Sequence, residues 1–395
     1  MKQALGQESA YAWVVVWATF VSLAVIFGVA YSFAAFFDSF AAEFSAKRAD
    51  VALVFGLTGL IYFAFGGVGG MLSDRYGARL ICSLGMLCIA AGLLLTSFAQ
   101  SLGTVYLFYS VGIGVGIALA YTPSIGNVQP WFTARRGLAS GIASSGIGLG
   151  TLLVPLLAAM WISSLEWRMA LRVMSAAVIL VGLSSTVLLK RAQIAPLGNA
   201  KANSPLPGMT LAQALKDKRF WWFYLFTFTA APTMFIPFAH VSASARDIGI
   251  SEANAVGLVG LIGIGSLVGR FAISALADRI GRTRTLTLMQ VSMASTYLLW
   301  MGSGGYGLLA VFALWFGLSY GGIVSLMPAI CMDLFGARAV AGIIGTLYTG
   351  AAVGNLIGPV AAGAVFDWMG SYHPVLWFCV ALSVVSVYAS TRVRN

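Results

Sequence analysis

The amino-acid sequence predicts an all-α integral membrane protein whose twelve transmembrane helices form two pseudo-symmetric halves of six. Three observations support this prediction: the composition, the succession of long apolar segments, and a motif that occurs once in each half. Of the 395 residues, 59% are hydrophobic and only 9% are charged. Soluble globular domains carry roughly 25% charged residues, so this chain has too few charges to cover a water-facing surface. We therefore expect it to lie in a lipid bilayer.

The apolar segments have the length that a membrane crossing requires, since a bilayer core about 30 Å thick needs roughly 20 apolar residues per helix. One long polar interruption, containing APLGNAKANSPLPG, separates six such segments from six others. The expected organisation is an N-terminal six-helix half over residues 1–190, a cytoplasmic linker over 191–219 and a C-terminal six-helix half over 220–395. The predicted helices are 11–37, 51–73, 80–99, 104–128, 137–161, 169–190, 220–243, 254–275, 285–302, 306–330, 338–365 and 373–391.

The basic residues predict the orientation. Seventeen of the 23 fall in segments on the side of both termini and the linker, and five fall on the other side. Cytoplasmic loops are rich in Lys and Arg, so both termini are expected in the cytoplasm of a multi-pass protein of the inner (plasma) membrane. The net charge of +11 thus has its source in the loops, and no nucleic-acid partner is expected.

A short charged motif follows the second predicted helix of each half, reading GMLSDRYGAR at 70–79 and SALADRIGR at 274–282. Duplicated halves with a substrate site between them are typical of secondary transporters. An acidic side chain at a helix end can pair with an arginine and with a neighbouring helix N-terminus, which would form a latch between conformations. Alternatively, the motif only anchors the loop. The residues concerned are Asp74, Arg75, Arg79, Asp278, Arg279 and Arg282.

Two motifs resemble those of known transporters. The G-x-x-x-D-R-x-G pattern resembles the cytoplasmic-loop signature of the major facilitator superfamily. The segment WFTARRGLASGIASSG at 131–146 is similar to the signature of the monocarboxylate transporter family, from which it departs at Ala134, and ESAYAW at 8–13 is a degraded form of that family's helix entry. The resemblance implies the major facilitator fold and a place near the bacterial monocarboxylate and oxalate–formate branch, with Arg135 and Arg136 among the gating residues.

One basic residue, Arg270, is predicted to lie inside the membrane. It precedes Asp278 by eight residues, which corresponds to about 12 Å of helix at about 1.5 Å per residue. An arginine at that depth usually faces a cavity and pairs with another group, yet all twelve acidic residues fall at helix ends or in loops. A substrate carboxylate is therefore the expected partner, because a guanidinium can bind it through two hydrogen bonds. The alternative is that Arg270 extends to the aqueous interface.

The resemblance to monocarboxylate transporters agrees with this assignment, since LVGR at 267–270 matches the segment where the family places its substrate-binding arginine. This chain has Ser266 and Tyr31 where animal members have aspartate and lysine, and YTGA at 348–351 where the oxalate–formate branch has a lysine. With one cavity cation, a small monoanion such as lactate or pyruvate is expected rather than a dianion. The departures leave the proton relay of the animal members in question.

Polar and aromatic side chains within the apolar helices are further candidates. Their hydroxyl or amide groups could hold a second carboxylate oxygen or a 2-hydroxyl; equally, each could bond a backbone carbonyl in helix packing. His240, near the end of the seventh helix, is a candidate for proton coupling because an unperturbed histidine titrates near neutral pH, although a structural role is the alternative. The expected substrate-binding residues are Arg270, Tyr31, Tyr121, Ser266, Tyr320 and Asn355.

These features together describe a secondary active transporter of small monocarboxylates. Proton symport is the expected coupling, and anion exchange of the oxalate–formate type is the alternative. A non-transporting receptor with this fold is a further alternative, and it would usually need a sizeable soluble domain. An enzyme is not expected, since no acid pair, metal cluster or Ser/His/Asp set falls at one membrane depth, and the four cysteines form no C-x-x-C pair. The expected partners are a monocarboxylate anion, a proton and the bilayer, with no metal or cofactor.

Overall fold

The computed structural model describes residues 10–128, 131–132, 136–190, 208–336 and 340–393. Nearly all of these residues are helical, and among them the only backbone pairing of the strand type is an isolated bridge between Gly208 and Gly336. Helices suit long apolar segments because they satisfy every backbone N–H and C=O group internally, where lipid offers no hydrogen-bond partner. The predicted all-α membrane fold is confirmed.

The number of membrane crossings follows from two details of the helices. Within the described ranges, ten helices are long and apolar enough to cross a membrane. One of them, Gly141–Val187, extends over 47 residues, but the chain reverses at Glu166, where φ is 66° and ψ is 158°. A further helix, Arg282–Met301, has 20 residues and a more polar sequence. Dividing Gly141–Val187 into two helices and adding Arg282–Met301 to the ten gives the twelve predicted helices.

We number these helices α1 to α12 in chain order. The first six are α1 Ala10–Glu43, α2 Arg48–Tyr76, α3 Ala78–Thr96, α4 Leu102–Val128, α5 136–165 and α6 167–187. The last six are α7 Lys218–Asp247, α8 Glu252–Ile280, α9 Arg282–Met301, α10 Tyr306–Phe335, α11 Val340–Met369 and α12 His373–Arg392. A short helical turn, Leu211–Ala214, lies in the segment predicted as the linker.

The repeated motif produces the same turn in both halves. Gly77 separates α2 from α3 with a φ of 91°, and Gly281 separates α8 from α9 with a φ of 96°. Side chains other than hydrogen disfavour positive φ strongly, so the glycine of G-x-x-x-D-R-x-G lets one helix end and the next begin within a single residue. The structural repeat therefore matches the sequence repeat.

Glycines bring helices of the same half into close contact. A Cβ atom on Gly146 of α5 would lie 2.0 Å from the carbonyl oxygen of Phe20 on α1. In the second half, a Cβ atom on Gly321 of α10 would lie 2.2 Å from the carbonyl oxygen of Ser266 on α8. Small residues let helix backbones approach in this way within membranes. Each half is thereby a closely packed unit.

The two halves pack most extensively along two pairs of helices. Helix α2 packs on α11, where the side-chain amide nitrogen of Asn355 donates to the carbonyl oxygen of Gly56 at 3.3 Å. Helix α5 packs on α8, where a Cβ atom on Gly148 would lie 2.9 Å from the carbonyl oxygen of Gly263. These contacts leave the remaining space between the halves for a central cavity.

The helical bundle has two ends, to which we give fixed names. The linker face is the end where the chain passes from α6 to α7; the turns at Gly77 and Gly281 also lie there. The far face is the opposite end, where α1, α7 and α11 end and where α2 and α12 begin. The linker face is the one that the basic residues predict to be cytoplasmic.

Candidate functional site

A cavity lies between the two halves near the middle of the helices. It encloses about 620 Å³ of empty space, part of which is open to solvent. Eight helices contribute to it, four from each half, because α1, α2, α4 and α5 face α7, α8, α10 and α11. Its lining residues are mostly apolar and aromatic: Phe27, Tyr62, Phe63, Tyr121, Ile147, Phe226, Thr227, Ala230, Ala231, Met234, Phe235, Arg270, Tyr320, Val324, Met327, Tyr348 and Ala351.

Arg270 is the charged residue among the side chains that line this cavity. It is 7% exposed, so burial removes most of its contact with water. Among the residues that the structure describes, its Nε atom has no hydrogen-bond partner, and no carboxylate lies within ion-pairing distance of it. A buried cation without a partner is costly, so the charge of Arg270 is uncompensated among the described residues.

Three tyrosines line the cavity together with Arg270. Tyr121 comes from α4 in the first half, and Tyr320 and Tyr348 come from α10 and α11 in the second. All three side chains are close enough to Arg270 to interact with its charge. A tyrosine hydroxyl can donate a hydrogen bond to an anion while its ring packs on apolar groups. The positively charged group and its neutral donors therefore lie on both sides of the gap between the halves.

Tyr31 closes the far side of the cavity instead of lining it. Its hydroxyl oxygen lies 3.0 Å from that of Tyr320, which belongs to the other half. Its ring stacks on Phe238 of α7 with a centroid distance of 4.1 Å and an interplanar angle of 18°. Phe27, one turn earlier on α1, does line the cavity, so the pair of Tyr31 and Phe238 forms an aromatic layer on its far side.

The structure places Ser266 and Asn355 away from the cavity lining. Ser266 is buried where α8 contacts Gly321 of α10, and its Oγ atom has no hydrogen-bond partner in the described part of the chain. Asn355 is fully buried between α11 and α2, where it contacts Gly56 and Gly59 of the other half. The geometry thus brings together Arg270, Tyr121 and Tyr320 of the predicted site residues, with Tyr31 hydrogen-bonded to Tyr320 and also close enough to interact with the charge of Arg270. Asn355 instead contacts the other half.

The far face holds charged contacts between the halves, which we call the far-face latch. Arg48 at the start of α2 pairs with Asp247 at the end of α7, with Nη2 and Oδ1 2.5 Å apart. Asp367 at the end of α11 accepts hydrogen bonds from the backbone N–H groups of Arg48 at 3.0 Å and Ala49 at 2.9 Å. A carboxylate at a helix N-terminus is stabilised by the helix dipole. Arg246 of α7 pairs with Asp38 of α1.

His240 is buried next to the far-face latch. Its Nδ1 atom lies 3.0 Å from the hydroxyl oxygen of Tyr372, and its Nε2 atom lies 2.8 Å from the carbonyl oxygen of Pro359. The Tyr372 hydroxyl oxygen accepts a hydrogen bond of 2.9 Å from Nη1 of Arg48. His240 is therefore connected to the latch through a single hydroxyl group, and it is not among the residues that line the cavity.

The predicted gating residues that the structure describes lie on the linker face. Arg282 contacts both carboxylate oxygens of Asp333 at 2.7 and 2.9 Å, which joins α9 to the end of α10. Arg75, Arg79 and Arg279 are exposed there. Residue Arg135 and the side chains of Asp74, Arg136 and Asp278 lie outside the described residues.

Sequence reasoning missed several of these residues. Thr227 and the aromatic residues Phe27 and Tyr62 gave no signal, because apolar helices are full of such side chains. The far-face latch did leave a signal in the repeat: Asp38 and Asp247 fall near the ends of the first helix of each half. Matched acidic positions in a chain with twelve acids in total are unusual enough to have been singled out.

Comparisons with known proteins agree with this architecture. The sequence model of the Major Facilitator Superfamily matches residues 18–338 and 232–394. The chain is 29% identical over 377 residues to monocarboxylate transporter 13 of Bos taurus, covering 92% of this chain and 85% of that protein. It is 27% identical over 381 residues to monocarboxylate transporter 3 of Rattus norvegicus, covering 94% and 77%.

A solved structure shows the same fold. It is the crystal structure of a bacterial homologue of the human lysosomal transporter Spinster, described as inward-facing and unoccupied. The TM-score is 0.73 at 17% sequence identity, and the match covers 98% of this chain and 97% of the other. Twelve helices in two similar halves, a cavity between the halves and a family match over most of the chain lead to one conclusion: the chain is a multi-pass membrane protein that belongs to the major facilitator superfamily, and it has monocarboxylate transporters among its relatives.

Proposed function

We propose that this protein carries small monocarboxylates such as lactate and pyruvate across the membrane by alternating access. The observation that supports this proposal is the burial of Arg270 in the central cavity without a carboxylate partner among the described residues. A substrate carboxylate supplies the missing negative charge and can engage the guanidinium through two hydrogen bonds. The curated relatives, which are monocarboxylate transporters, support the same class of substrate.

In this proposal each cavity residue has a separate role. Arg270 binds the carboxylate, and the hydroxyl groups of Tyr121, Tyr320 and Tyr348 donate to its oxygens or to a 2-hydroxyl group. The apolar lining accommodates the short carbon chain. One cationic side chain neutralises a monoanion fully but leaves a dianion with a net charge in a largely apolar cavity, which costs free energy. Monoanions are therefore favoured over oxalate and succinate.

The latched far face supports an inward-facing state. With the linker face in the cytoplasm of a plasma-membrane protein, the far-face latch and the layer of Tyr31 and Phe238 separate the cavity from the outside. The motif residues on the linker face, including the pair of Arg282 and Asp333, would exchange partners as that face closes. Opening outward requires the ion pairs of Arg48 and Arg246 across the halves to break.

Proton symport is the proposed form of coupling, and anion exchange is the alternative. Without substrate, Arg270 is a lone buried cation, which disfavours the occluded and desolvated state between the two open ones. A bound monoanion neutralises it and lets the halves move. This neutralisation alone accounts for exchange of one anion for another, whereas symport also needs a proton to cross. The protein acts as a carrier in either case and is proposed neither to catalyse a reaction nor to need a cofactor.

Uptake of labelled lactate into proteoliposomes tests the substrate class. Monocarboxylates of two to four carbons should compete for uptake, whereas oxalate and succinate at equal concentration should compete weakly. Arg284, an exposed arginine on α9, provides a control variant, since Arg284→Ala should leave the competition pattern unchanged. Strong inhibition by oxalate would assign the protein to the oxalate–formate type.

The form of coupling is tested in the same vesicles. An inward proton gradient is imposed on vesicles that contain no substrate, and lactate accumulation is followed with and without a protonophore. Accumulation that collapses with the protonophore supports symport. Uptake that appears only in vesicles preloaded with an anion, and that ignores the protonophore, identifies an obligate exchanger.

A further inference from the structure

The hydrogen bonds of His240 determine which of its nitrogen atoms carries a proton. Its Nε2 atom faces the carbonyl oxygen of Pro359 at 2.8 Å. A carbonyl can only accept a hydrogen bond, so Nε2 must carry a hydrogen and donate it. In the neutral imidazole the other nitrogen, Nδ1, then holds a lone pair. The 3.0 Å contact between Nδ1 and the Tyr372 hydroxyl is therefore a hydrogen bond in which Tyr372 donates.

The direction of the remaining hydrogen bonds follows from this one. Arg48 donates through Nη1 to the Tyr372 oxygen, and it donates through Nη2 to Asp247. The chain of donors thus runs from Arg48 to Tyr372, from Tyr372 to His240, and from His240 to the backbone of α11 at Pro359. All four hydrogen bonds fit together when His240 is neutral, and this arrangement links both halves at the far face.

A positively charged His240 would have no free carboxylate to pair with among the groups described around it. The nearest cation is Arg48, one hydroxyl group away, and the imidazole itself is fully buried. The edge of Phe37 on α1 covers one side of the ring, with centroids 5.6 Å apart. The carboxylates nearby already have partners. The charged and titratable groups at this place are Asp38 on α1, Arg48 on α2, Arg246 and Asp247 on α7, Asp367 on α11, and Tyr372 and His373 at the start of α12.

We propose that His240 is a proton-binding site of the gate, and that protonation of Nδ1 opens the far-face latch. The added proton makes Nδ1 a donor, so the Tyr372 hydroxyl can no longer donate to it. The imidazolium would also be a buried cation next to Arg48, and both effects disfavour the closed arrangement. Opening the far face exposes the imidazolium to water and removes the conflict. The proton comes from the solution on the far face, and only hydrogen bonds break.

This inference rests on the proposed function only for the identity of the cargo, because protonation of His240 acts on the balance between the open and the closed far face, whereas the cargo neutralises Arg270 in the occluded state. It has a consequence for the transport cycle. The far face can close again only after His240 has lost its proton, so acid on that side holds the carrier open toward it. An acidic exterior would then raise the fraction of carriers that are open to the outside. Because the proton leaves His240 before the far face closes, it is a different proton from the one that crosses the membrane in symport.

The distance across the far face tests the proposal without substrate. Ala42 and Ser251 are exposed on α1 and just before α8, in different halves, and can be replaced by cysteine for spin labels. Of the native cysteines, Cys82, Cys331 and Cys379 are buried and Cys88 is partly buried, so Cys88→Ser completes the background. Distances from pulsed electron resonance are measured from about pH 8 to about pH 4.5, a range that brackets the ordinary histidine pKa of about 6.5.

The expected result is a growing population of long distances as the pH falls. His240→Gln should abolish this response and stay closed, because a glutamine amide can donate to Pro359 and accept from Tyr372 but cannot be protonated. His373→Gln, which changes the exposed second histidine, should respond as the wild type does. Tyr372→Phe breaks the relay and should already be partly open near pH 8, above the ordinary histidine pKa of about 6.5.

Two results would overturn the proposal. One is a wild-type far face that stays closed throughout the titration. The other is a response that persists in His240→Gln or disappears in His373→Gln. Neither result bears on the cargo, because lactate uptake by the wild-type protein is measured separately; conversely, a protein that ignores monocarboxylates can still show the distance change.

Discussion

At the scale of single residues, the cavity combines one cation with several neutral donors. Arg270 approaches from α8, and the hydroxyl groups of Tyr121, Tyr320 and Tyr348 approach from three other helices. Because these helices belong to different halves, a substrate that contacted all four side chains, as proposed, would draw the halves together. In the proposed function, substrate binding and closure therefore involve the same few atoms.

Replacement of Arg270 should abolish transport while leaving the fold intact. Arg270→Ala removes the charge that neutralises the carboxylate, and loss of a buried charge partner corresponds to a decrease on the order of 100-fold in uptake. Arg270→Lys should be nearly as poor, because the planar fork that binds both oxygens is lost. The measurement is initial uptake of labelled lactate, normalised to folded protein. Near-normal uptake by Arg270→Ala would remove Arg270 from the substrate site.

Tyr31 and Tyr121 should behave differently although both were predicted to bind substrate. Tyr31→Phe keeps the stacking on Phe238 but loses the hydrogen bond to Tyr320, so it should loosen far-face closure. Tyr121→Phe removes a cavity hydroxyl and should weaken lactate binding about fivefold, as expected for a hydrogen bond of about 1 kcal/mol. Lactate affinity is measured by its effect on thermal unfolding. Equal losses of affinity in both variants would contradict the separation of roles.

At this scale, the sequence indicated a cavity residue where placing that residue inside the membrane costs free energy. Arg270 could be predicted to face the cavity because a charged side chain within an apolar helix is costly unless it reaches a cavity or a partner. That cost does not depend on how the helices pack in detail. Ser266 and Asn355 were indistinguishable from cavity residues, since small polar side chains are tolerated on any buried helix face. Which face looks inward depends on the rotation of each helix, and helices that are apolar all round leave that rotation unspecified.

At the scale of helices, glycines of α5 and α11 hold helices of the same half together. The sequence places Gly146 on α5 and Gly354 on α11 in stripes of small residues. In the structure Gly146 packs on α1 and Gly354 packs on α7, each within its own half. These two glycines thus join helices within a half, whereas Gly148 and Gly263 lie at a contact between the halves.

Two glycine substitutions in α11 should have opposite effects on stability. A Cβ atom at Gly354 would lie 2.6 Å from the Cβ atom of Ala231 and 3.0 Å from the carbonyl oxygen of Phe228, whereas Gly345 has open space around it. Gly354→Ala should therefore destabilise by about 1–3 kcal/mol. Gly345→Ala should be neutral or stabilise by up to about 1 kcal/mol, because alanine favours the helix. Thermal unfolding in detergent gives both values, and a tolerated Gly354→Ala would contradict the packing.

The existence of each helix could be predicted from the sequence, whereas the positions of the helix ends could be predicted less well. A run of about 20 apolar residues has few alternatives to a membrane helix, so all twelve appeared in the sequence. The ends extend beyond the apolar runs: α2 begins at Arg48, three residues before the predicted start at 51. That extra turn brings Arg48 and the N-terminus of α2 into contact with Asp367. Asp367 lies 319 residues away along the chain, so no local sequence pattern could indicate this contact.

At the scale of the whole molecule, ion pairs between the halves occur at one end. Among the described residues, both such pairs lie on the far face, while the pair of Arg282 and Asp333 on the linker face stays within one half. The closed far face is therefore stabilised by charge. In the proposed function, the equilibrium between the two open states depends on a small number of partly exposed pairs.

Removal of one latch charge should shift this equilibrium. Asp367→Asn loses the charge that faces the N-terminus of α2 and weakens its two hydrogen bonds, an effect of about 1 kcal/mol or about a fivefold rise in the far-face-open fraction. The distance between labels at Ala42 and Ser251 measures that fraction. Glu43→Gln is the control, because Glu43 pairs with Arg168 within one half and should not change it. An unchanged distance in Asp367→Asn would exclude Asp367 from the latch.

The closeness of the paired groups makes the far-face latch resistant to salt. The side chains of Arg48 and Asp247 are 22% and 33% exposed, and their paired atoms lie 2.5 Å apart. The screening length falls from about 30 Å in 0.01 M salt to about 8 Å in 0.15 M salt, which is still longer than that separation, and partly buried pairs are screened less than exposed ones. A rise in salt concentration should therefore change the far-face-open fraction less than the loss of one latch charge does.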